Sequence, residues 1–473
     1  MKVHPDIGLS FDDVLLIPKK NSFGSRKKVS LKTKLTKGIS LNIPIVSANM
    51  DTVTGARLAI VMAQSGGIGI LHRFNSIDEE AAEVRKVKRQ SSYIIKDPYT
   101  ITKDKTVGDA RAISQVYGVS GFPVVDGRKL IGIVTERDIR FQKDEAVIEN
   151  VMTKKNDMVF IEQDKFMKPE KFIDVFKKHK VEKIPIVDKK SNLVGMVTAK
   201  DIANLGNGHA TKSRDGTLMV GAAIGVKDAA KRADALVKAG ADVLVIDIAH
   251  GHSEAVISAL KMLKRRLDTE IIAGNIATGA AAEELISAGA DAIKVGIGPG
   301  SVCTTRLVAG SGVPQLTAIE WTHSVAQHYG VPIIGDGGIR TSGDIAKALA
   351  AGASTVMIGK IFGGTEEAPG ATIIRGGRKY KFYRGMSSIS ANNKKLEVDQ
   401  SDFDLSDVVG EGNETFIPYI GSAREIISQL CGGLRSAFSY SGATNIYDLR
   451  KNAELVRISP GGQRESYAKL DSD

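Results

Sequence analysis

Eight short runs rich in β-branched residues recur along this 473-residue chain, each closed by glycine or a polar residue. They read IPIVSANMD, GGIGILH, LMVGAAIG, DVLVIDIAHG, EIIAGNIA, AIKVGIGPG, PIIGDGGI and TVMIGK. Their apolar stretches scarcely alternate with polar residues, which is the pattern of strands covered on both faces in a parallel sheet. Between them, segments such as VKDAAKRADALVKAGA, GAAAEELISAGA and SGDIAKALAAGA place small and apolar residues at helical spacing and end in glycines suited to C-caps. Strand and helix alternating eight times predict closure into an α/β (β/α)8 TIM barrel rather than an open doubly wound sheet.

The order breaks after the second strand. Residues 118–139, GVSGFPVVDGRKLIGIVTERDI, and 180–202, KVEKIPIVDKKSNLVGMVTAKDI, repeat one pattern of strand, turn, strand and a Thr-x-x-Asp that opens a helix. Thr135 and Asp138 match Thr198 and Asp201. The repeat resembles an inserted tandem CBS (Bateman) domain, and that resemblance implies ATP or GTP held by these four residues. The same Thr-x-x-Asp is also a good helix N-cap. The expected organisation is a first barrel part at 1–92, the tandem CBS domain at 93–206, and a second barrel part at 207–473 with a flap at 387–421.

The charge balance of +11 suits an anionic ligand such as a nucleotide. The lysines are scattered in short groups with no aromatic-basic platform beside them, so no specific nucleic acid partner is expected. No stretch approaches the roughly 18 uninterrupted apolar residues of a membrane helix, and MKVHPDIGLSFDD lacks the apolar run of a secretory signal. A cytoplasmic protein is expected. Two cysteines, Cys303 and Cys431, build no disulfide framework, and no Cys/His cluster has zinc spacing.

One of those cysteines stands in an unusual place. VGIGPGSVCTTR, 295–306, puts Cys303 behind Gly298, Pro299, Gly300 and Ser301 at the end of the sixth strand. That end of a barrel strand faces the active site. Glycines there admit a ligand close to the backbone, while Thr304, Thr305 and Arg306 bring hydroxyls and a positive charge that favours thiolate. Cys431, inside the apolar run IISQLCGG, reads instead as a packed, inert thiol. A nucleophile is expected at Cys303. Asp336-Gly337-Gly338 after the seventh strand and Gly359-Lys360 after the eighth add amides for phosphate and a carboxylate for hydroxyls. A ligand carrying both groups is a nucleotide.

VGIGPGSVCTTR, GVPQLTAI, DGGIRTSGDIAKALAAGA, FYRGMSS and GGLRSAFSYSGA closely resemble the IMP dehydrogenase/GMP reductase family, over essentially the whole chain. The resemblance implies that Cys303 attacks C2 of a purine monophosphate, GMP or IMP, with a nicotinamide cofactor for hydride transfer. It places the nucleotide at Asn49, Ser301, Asp336, Gly338, Gly359, Lys360, Tyr383, Gly385, Met386 and Ser387. It places the cofactor at Asp247 and Asn275, although Asp247 also suits a plain strand end. His250 and His252 read as polar loop residues. No structural metal is expected; the resemblance leaves open a monovalent cation such as K+ at Gly298, Gly300 and Cys303. It also implies a homotetramer, with octamers through the CBS modules.

Two chemistries share that cysteine adduct. Dehydrogenases of the family hydrolyse it, using an Arg-Tyr pair on the flap as the base for water. Residues 387–421 contain no arginine and no Arg-Tyr step. Lys394 and Lys395 are nearest, and a solvated lysine is mostly protonated at neutral pH. A serine in RGMSS, Asn49 in SANMDTV and Tyr467 in SPGGQRESYAKL agree with a reductase. LVAGSGVPQLTAI and GGTEEAPG look more like a dehydrogenase, and most reductases lack the CBS insert, but the layout is closest to that of a CBS-containing GMP reductase subgroup. The expectation is GMP reductase, NADPH-dependent reductive deamination of GMP to IMP and ammonia. The alternative is IMP dehydrogenase, NAD-dependent oxidation of IMP to XMP. In the reductase, Glu411 in VGEGNE matches the acidic flap residue at the purine edge, and with Thr305 it forms a proton relay to departing ammonia. A third reading is a nucleotide sensor with a degenerate barrel.

Overall fold

The computed structural model describes residues 3–90, 95, 98–165, 169–199, 202, 209–391, 393–394 and 410–466. It forms two compact units, Met1–Lys88 with His209–Asp473, and Arg89–Gly208.

In the first unit the eight apolar runs become the eight parallel strands of a closed barrel. They are β1 (Ile45–Ser47), β2 (Ile68–Leu71), β3 (Gly221–Ile224), β4 (Val243–Asp247), β5 (Glu270–Ile276), β6 (Ala292–Val295), β7 (Ile333–Asp336) and β8 (Thr355–Ile358). The barrel closes where β8 pairs with β1, Met357 opposite Val46. Its burial explains the missing alternation. Val243 and Val245 join an inner cluster with Val46, Ile68, Ile272 and Ile334. Their neighbours Leu244 and Ile246 join the outer layer under the helices. Each such side chain, fully buried, contributes roughly 1.5–3 kcal/mol.

The covering helices are α1 (Ala56–Gln64), α2 (Ile77–Arg89), α3 (Ala229–Ala239), α4 (Glu254–Arg266), α5 (Gly279–Ser287), α6 (Gln315–Ala326), α7 (Ser342–Ala350) and α8 (Ala423–Tyr440). They are capped as their sequences direct: Thr341 and Asp344 form a capping box on α7, and Gly240 ends α3 in the left-handed region. Because all eight strands run one way, their C-terminal ends share one rim. Asp247 and Asp336 are the last residues of β4 and β7. Beyond β8 a separate sheet forms from β9 (Thr372–Arg375), β10 (Arg378–Arg384) and β11 (Glu414–Pro418). In it Arg384 pairs with Glu414, which returns residues 410–413 towards the start of the 385–388 turn.

The second unit consists of two copies of one motif. Gly121–Asp126 pairs antiparallel with Lys129–Thr135, and Lys183–Val187 pairs antiparallel with Leu193–Thr198. The register breaks at the equivalent step in each, between Val124 and Val125 and between Ile186 and Val187. Each copy keeps its own core, Phe122, Val124 and Val134 in one and Ile184, Ile186 and Val197 in the other. This is the layout expected of tandem CBS modules.

Candidate active site

The loop after β6 is shaped by glycine at two points where nothing else fits. Gly296 has φ +150°, and a Cβ there would lie 2.0 Å from the Asp336 carbonyl oxygen. Gly298 has φ +86° and lies under the Arg306 side chain. Beyond them the Cys303 amide donates to the Gly300 carbonyl at 3.1 Å. The half-buried Cys303 Sγ lies 3.2 Å from Thr305 Oγ1, and that hydroxyl donates to Glu411 Oε2 at 2.7 Å. With the hydroxyl proton directed at the carboxylate, its oxygen is left to accept from the thiol. The three groups form a continuous proton path from sulfur to carboxylate.

Residues far apart in sequence hold that path. Cys303 forms an antiparallel bridge with Gly412, Asn413 donates to the Val302 carbonyl at 2.8 Å, and Thr304 donates to the Glu411 carbonyl at 2.9 Å. On the other side, Glu411 donates to the Ser387 carbonyl at 2.9 Å and Gly385 donates to the Asn413 carbonyl at 3.0 Å. Segment 410–413 therefore lies between the cysteine loop and the 385–388 turn. Cys431 offers the contrast. It is buried in α8, and burial pushes its thiol up to about 11.

A cavity of about 670 Å³ opens beside the loop, lined among others by Met50, Ser301, Asp336, Gly338, Gly359 and Tyr383. Lys360 lines it too. Cys303 adjoins it through Gly300, whose Cβ, were there one, would lie 3.3 Å from Cys303 Cβ. Tyr383 is buried, bonded to Ser301, and its hydroxyl is pushed up to about 12 by burial. That phenol stays neutral, a donor beside the glycines of the rim. Of the nucleotide residues expected from sequence, Gly385, Met386 and Ser387 form the turn under Glu411, and Asn49 bonds to Asp247.

Asp247, Asn275 and Asp336 converge on Lys294, which sequence reasoning had not singled out. The Lys294 Nζ lies 3.1 Å from Asp247 Oδ1 and 3.0 Å from Asp336 Oδ2. Asn275 Nδ2 donates to the same Asp336 oxygen at 2.9 Å and to the Gly296 carbonyl at 2.9 Å. Lys294 is held above the usual lysine range by its two carboxylates despite the opposing cost of burial, and Asp247 below the usual carboxylate range by Lys294 and Arg73 against the same cost. A lysine inside the run AIKV was the visible signal: a charge on a strand buried on both faces must be paired. Asn275 Oδ1 is buried with no partner among the described residues, an acceptor left over for an N–H of a ligand. Such an acceptor fits the amide N–H of a nicotinamide carboxamide.

Other expected residues lie apart from this rim chemistry. Lys394 sits 4.0 Å from Asp51, which already pairs with Arg384, so its ammonium is engaged there. Lys395 and most of the flap, 395–409, lie outside the described residues, as do Tyr467 and Asp201. In the insert, the Asp138 carboxylate accepts from the Thr135 amide at 2.7 Å and from its hydroxyl at 2.8 Å, the geometry of a helix cap. Thr198 ends the matching strand opposite Lys183. His252 lies 3.3 Å from Glu284, and no group of three metal-ligating side chains occurs among the described residues. No helix among them is long and apolar enough to cross a membrane.

The IMP dehydrogenase / GMP reductase domain model matches residues 8–469. An inosine-5'-monophosphate dehydrogenase of Nitrosopumilus maritimus is 49% identical over 467 residues, 97% of each chain. A GMP reductase of Leishmania donovani is 48% identical over 473 residues, 97% of this chain and 96% of that one. Among solved structures, a cysteine-to-alanine variant of GMP reductase from Trypanosoma brucei in complex with guanosine 5'-monophosphate superposes with a TM-score of 0.91. It is 44% identical, and the match covers 99% of this chain and 98% of that one. With a half-buried thiol on a glycine loop at the barrel rim, a carboxylate cluster beside it and these relatives, the chain belongs to the IMP dehydrogenase / GMP reductase family, NAD(P)-dependent oxidoreductases that act on purine monophosphates.

Proposed function

We propose that the protein is a GMP reductase that converts GMP to IMP and ammonia with NADPH. The observation that carries this reading is the Cys303–Thr305–Glu411 chain, combined with a flap sequence that has no arginine to activate water. Cys303 gives up its proton along the chain and its sulfur bonds to C2 of the purine. The C2–N bond then breaks, and Glu411, through Thr305, returns a proton to nitrogen so that ammonia leaves rather than amide ion. A reduced nicotinamide held on the Asp247 and Asn275 side would, when bound, supply the hydride that replaces sulfur at C2. Cys303 departs as thiolate, with IMP as product. Asp336 accepts from ribose hydroxyls, and the glycine amides at Gly338 and Gly359 hold phosphate. Asp247 and the unpartnered Asn275 Oδ1 lie on the cofactor side.

The dehydrogenase reading keeps two supports, the 49% identity to a relative of that name and the dehydrogenase-like segments LVAGSGVPQLTAI and GGTEEAPG. Against it, the one described flap lysine, Lys394, is drawn to Asp51. A Trypanosoma brucei GMP reductase solved with guanosine 5'-triphosphate, 41% identical with TM-score 0.81, supports a purine triphosphate ligand for a chain of this layout, which we assign to the insert. Absorbance of the reduced cofactor decides the main question. Consumption with GMP plus NADPH is expected. Production with IMP plus NAD instead makes the chain a dehydrogenase, and silence in both makes it a sensor.

A further inference from the structure

We propose that Lys294 is a positioning residue that ties the nucleotide side of the rim to the cofactor side, orienting Asp336 and Asp247 with one buried ammonium. This rests on the reading above, in which Asp336 meets the nucleotide and Asp247 the cofactor. The two carboxylates come from strands that are not neighbours, β4 and β7, and Lys294 reaches both from β6. Its side chain is 3% exposed, against 19% for Asp247 and 21% for Asp336, so the ammonium lies below and the carboxylates above. On Asp336, which lines the cavity, Oδ2 is taken by Lys294 and Asn275, which leaves Oδ1 for a ligand. Asp247 is fixed likewise by Lys294 and Asn49. An ion pair placed only for stability needs one carboxylate. A single cation shared by two, each aimed at a different ligand, makes both sites depend on one group.

Remove the ammonium and the partly buried carboxylates of Asp247 and Asp336 lose the one cation they share. Like charges in such a place cannot both stay ionised, so one takes up a proton as the pH falls. The other groups acting on the pair are Arg73, near Asp247, and the neutral phenol of Tyr383, near Asp336. A protonated carboxyl is a poorer acceptor for a ribose hydroxyl. Binding then weakens towards acid pH.

The test is steady-state kinetics of the full chain over about pH 6 to 8 with GMP and NADPH, or with IMP and NAD if those prove the substrates. Lys294→Met is expected to raise KM for both nucleotide and cofactor about tenfold or more, with the larger rise at the acid end. Lys294→Arg keeps the charge and restores both KM values and a flat profile. Asp336→Asn raises the nucleotide KM alone, and Asp247→Asn the cofactor KM alone. If those two variants leave both KM values unchanged, the ligand placement fails and the proposal with it. If they act as stated but Lys294→Met moves only one KM, or moves both without pH dependence, the tie between the sites is refuted while the placement stands. Should Lys294→Met fail to fold, the double variant K294M/D247N decides. With one facing charge gone, its nucleotide KM must be independent of pH, and a pH-dependent value overturns the proposal.

Discussion

Two hydroxyl–carboxylate pairs in this molecule are chemically alike and differently placed. At the barrel rim, Thr305 donates to Glu411 at 2.7 Å; in the insert, Thr135 donates to Asp138 at 2.8 Å. The insert pair spans three residues, and the same carboxylate also accepts the Thr135 amide at the start of the short helix Glu136–Ile139. Its geometry is accounted for by the local backbone. The rim pair spans 106 residues and caps no helix; its carboxylate comes from a different loop and its hydroxyl touches a thiol. A polar pair that the backbone does not need, held by long-range contacts next to a thiol, is the kind of arrangement the proposed relay requires.

The largest effect that separates the two regions is removal of the sulfur. Cys303→Ala is expected to lower turnover by about 10⁴-fold or more while GMP still binds, measured by kinetics and by calorimetry on the same protein. Residual turnover near that of the parent would end the covalent scheme and, with it, the reason for calling the rim pair a relay. Glu411→Gln comes next, with kcat down by about 10² to 10⁴ and the melting temperature little changed. Asp138→Asn is the matched control, and it leaves kcat where it was. Unaltered GMP turnover by Glu411→Gln would make the rim pair as structural as the insert pair.

The two thiols give a third and smaller contrast. Cys431 is 6% exposed and its thiol is raised to about 11, so almost none of it is thiolate at neutral pH. Alkylation of the native protein is expected to mark Cys303 alone, with GMP protecting it, and Cys431 to react only after unfolding. Mass spectrometry of the labelled peptides checks this. Early labelling of Cys431 would mean that α8 opens under native conditions.

The barrel was legible because burial on both faces erases alternation, and each of the eight apolar runs in sequence contains a barrel strand. The place of Cys303 was legible because the glycine loop that carries it directly follows the sixth strand, and the structure puts its half-buried thiol beside Thr305 at that end of the barrel. What the sequence could not reveal was which side chains meet. Lys294 was visible as a charge inside AIKV, but its partners lie 47 and 42 residues away on other strands. Arg384 and Asp51, 333 residues apart, join only once the barrel closes β8 onto β1. The Thr-x-x-Asp repeat was legible as a pattern and remained double in meaning, since a cap and a ribose-holding pair use the same residues at the same spacing.

That ambiguity sets the last and smallest prediction. As a cap, the pair contributes about 1 kcal/mol to the insert, and Thr135→Ser, which keeps the hydroxyl, loses little of it. Thr135→Ala loses it, seen as a lower denaturation midpoint of the insert with kcat of the barrel unchanged. If the same hydroxyl also holds a purine triphosphate, Thr135→Ala weakens ATP or GTP binding by clearly more than the cap alone allows, because about 1 kcal/mol of local stability changes affinity by no more than roughly fivefold when folding is nearly complete. A fall beyond tenfold in nucleotide affinity, with Thr135→Ser close to the parent, assigns the hydroxyl both roles. A shift in stability with affinity untouched leaves the insert pair a cap, and then the likeness between the two pairs ends at their chemistry: one caps a helix, the other is the relay that Glu411→Gln tests.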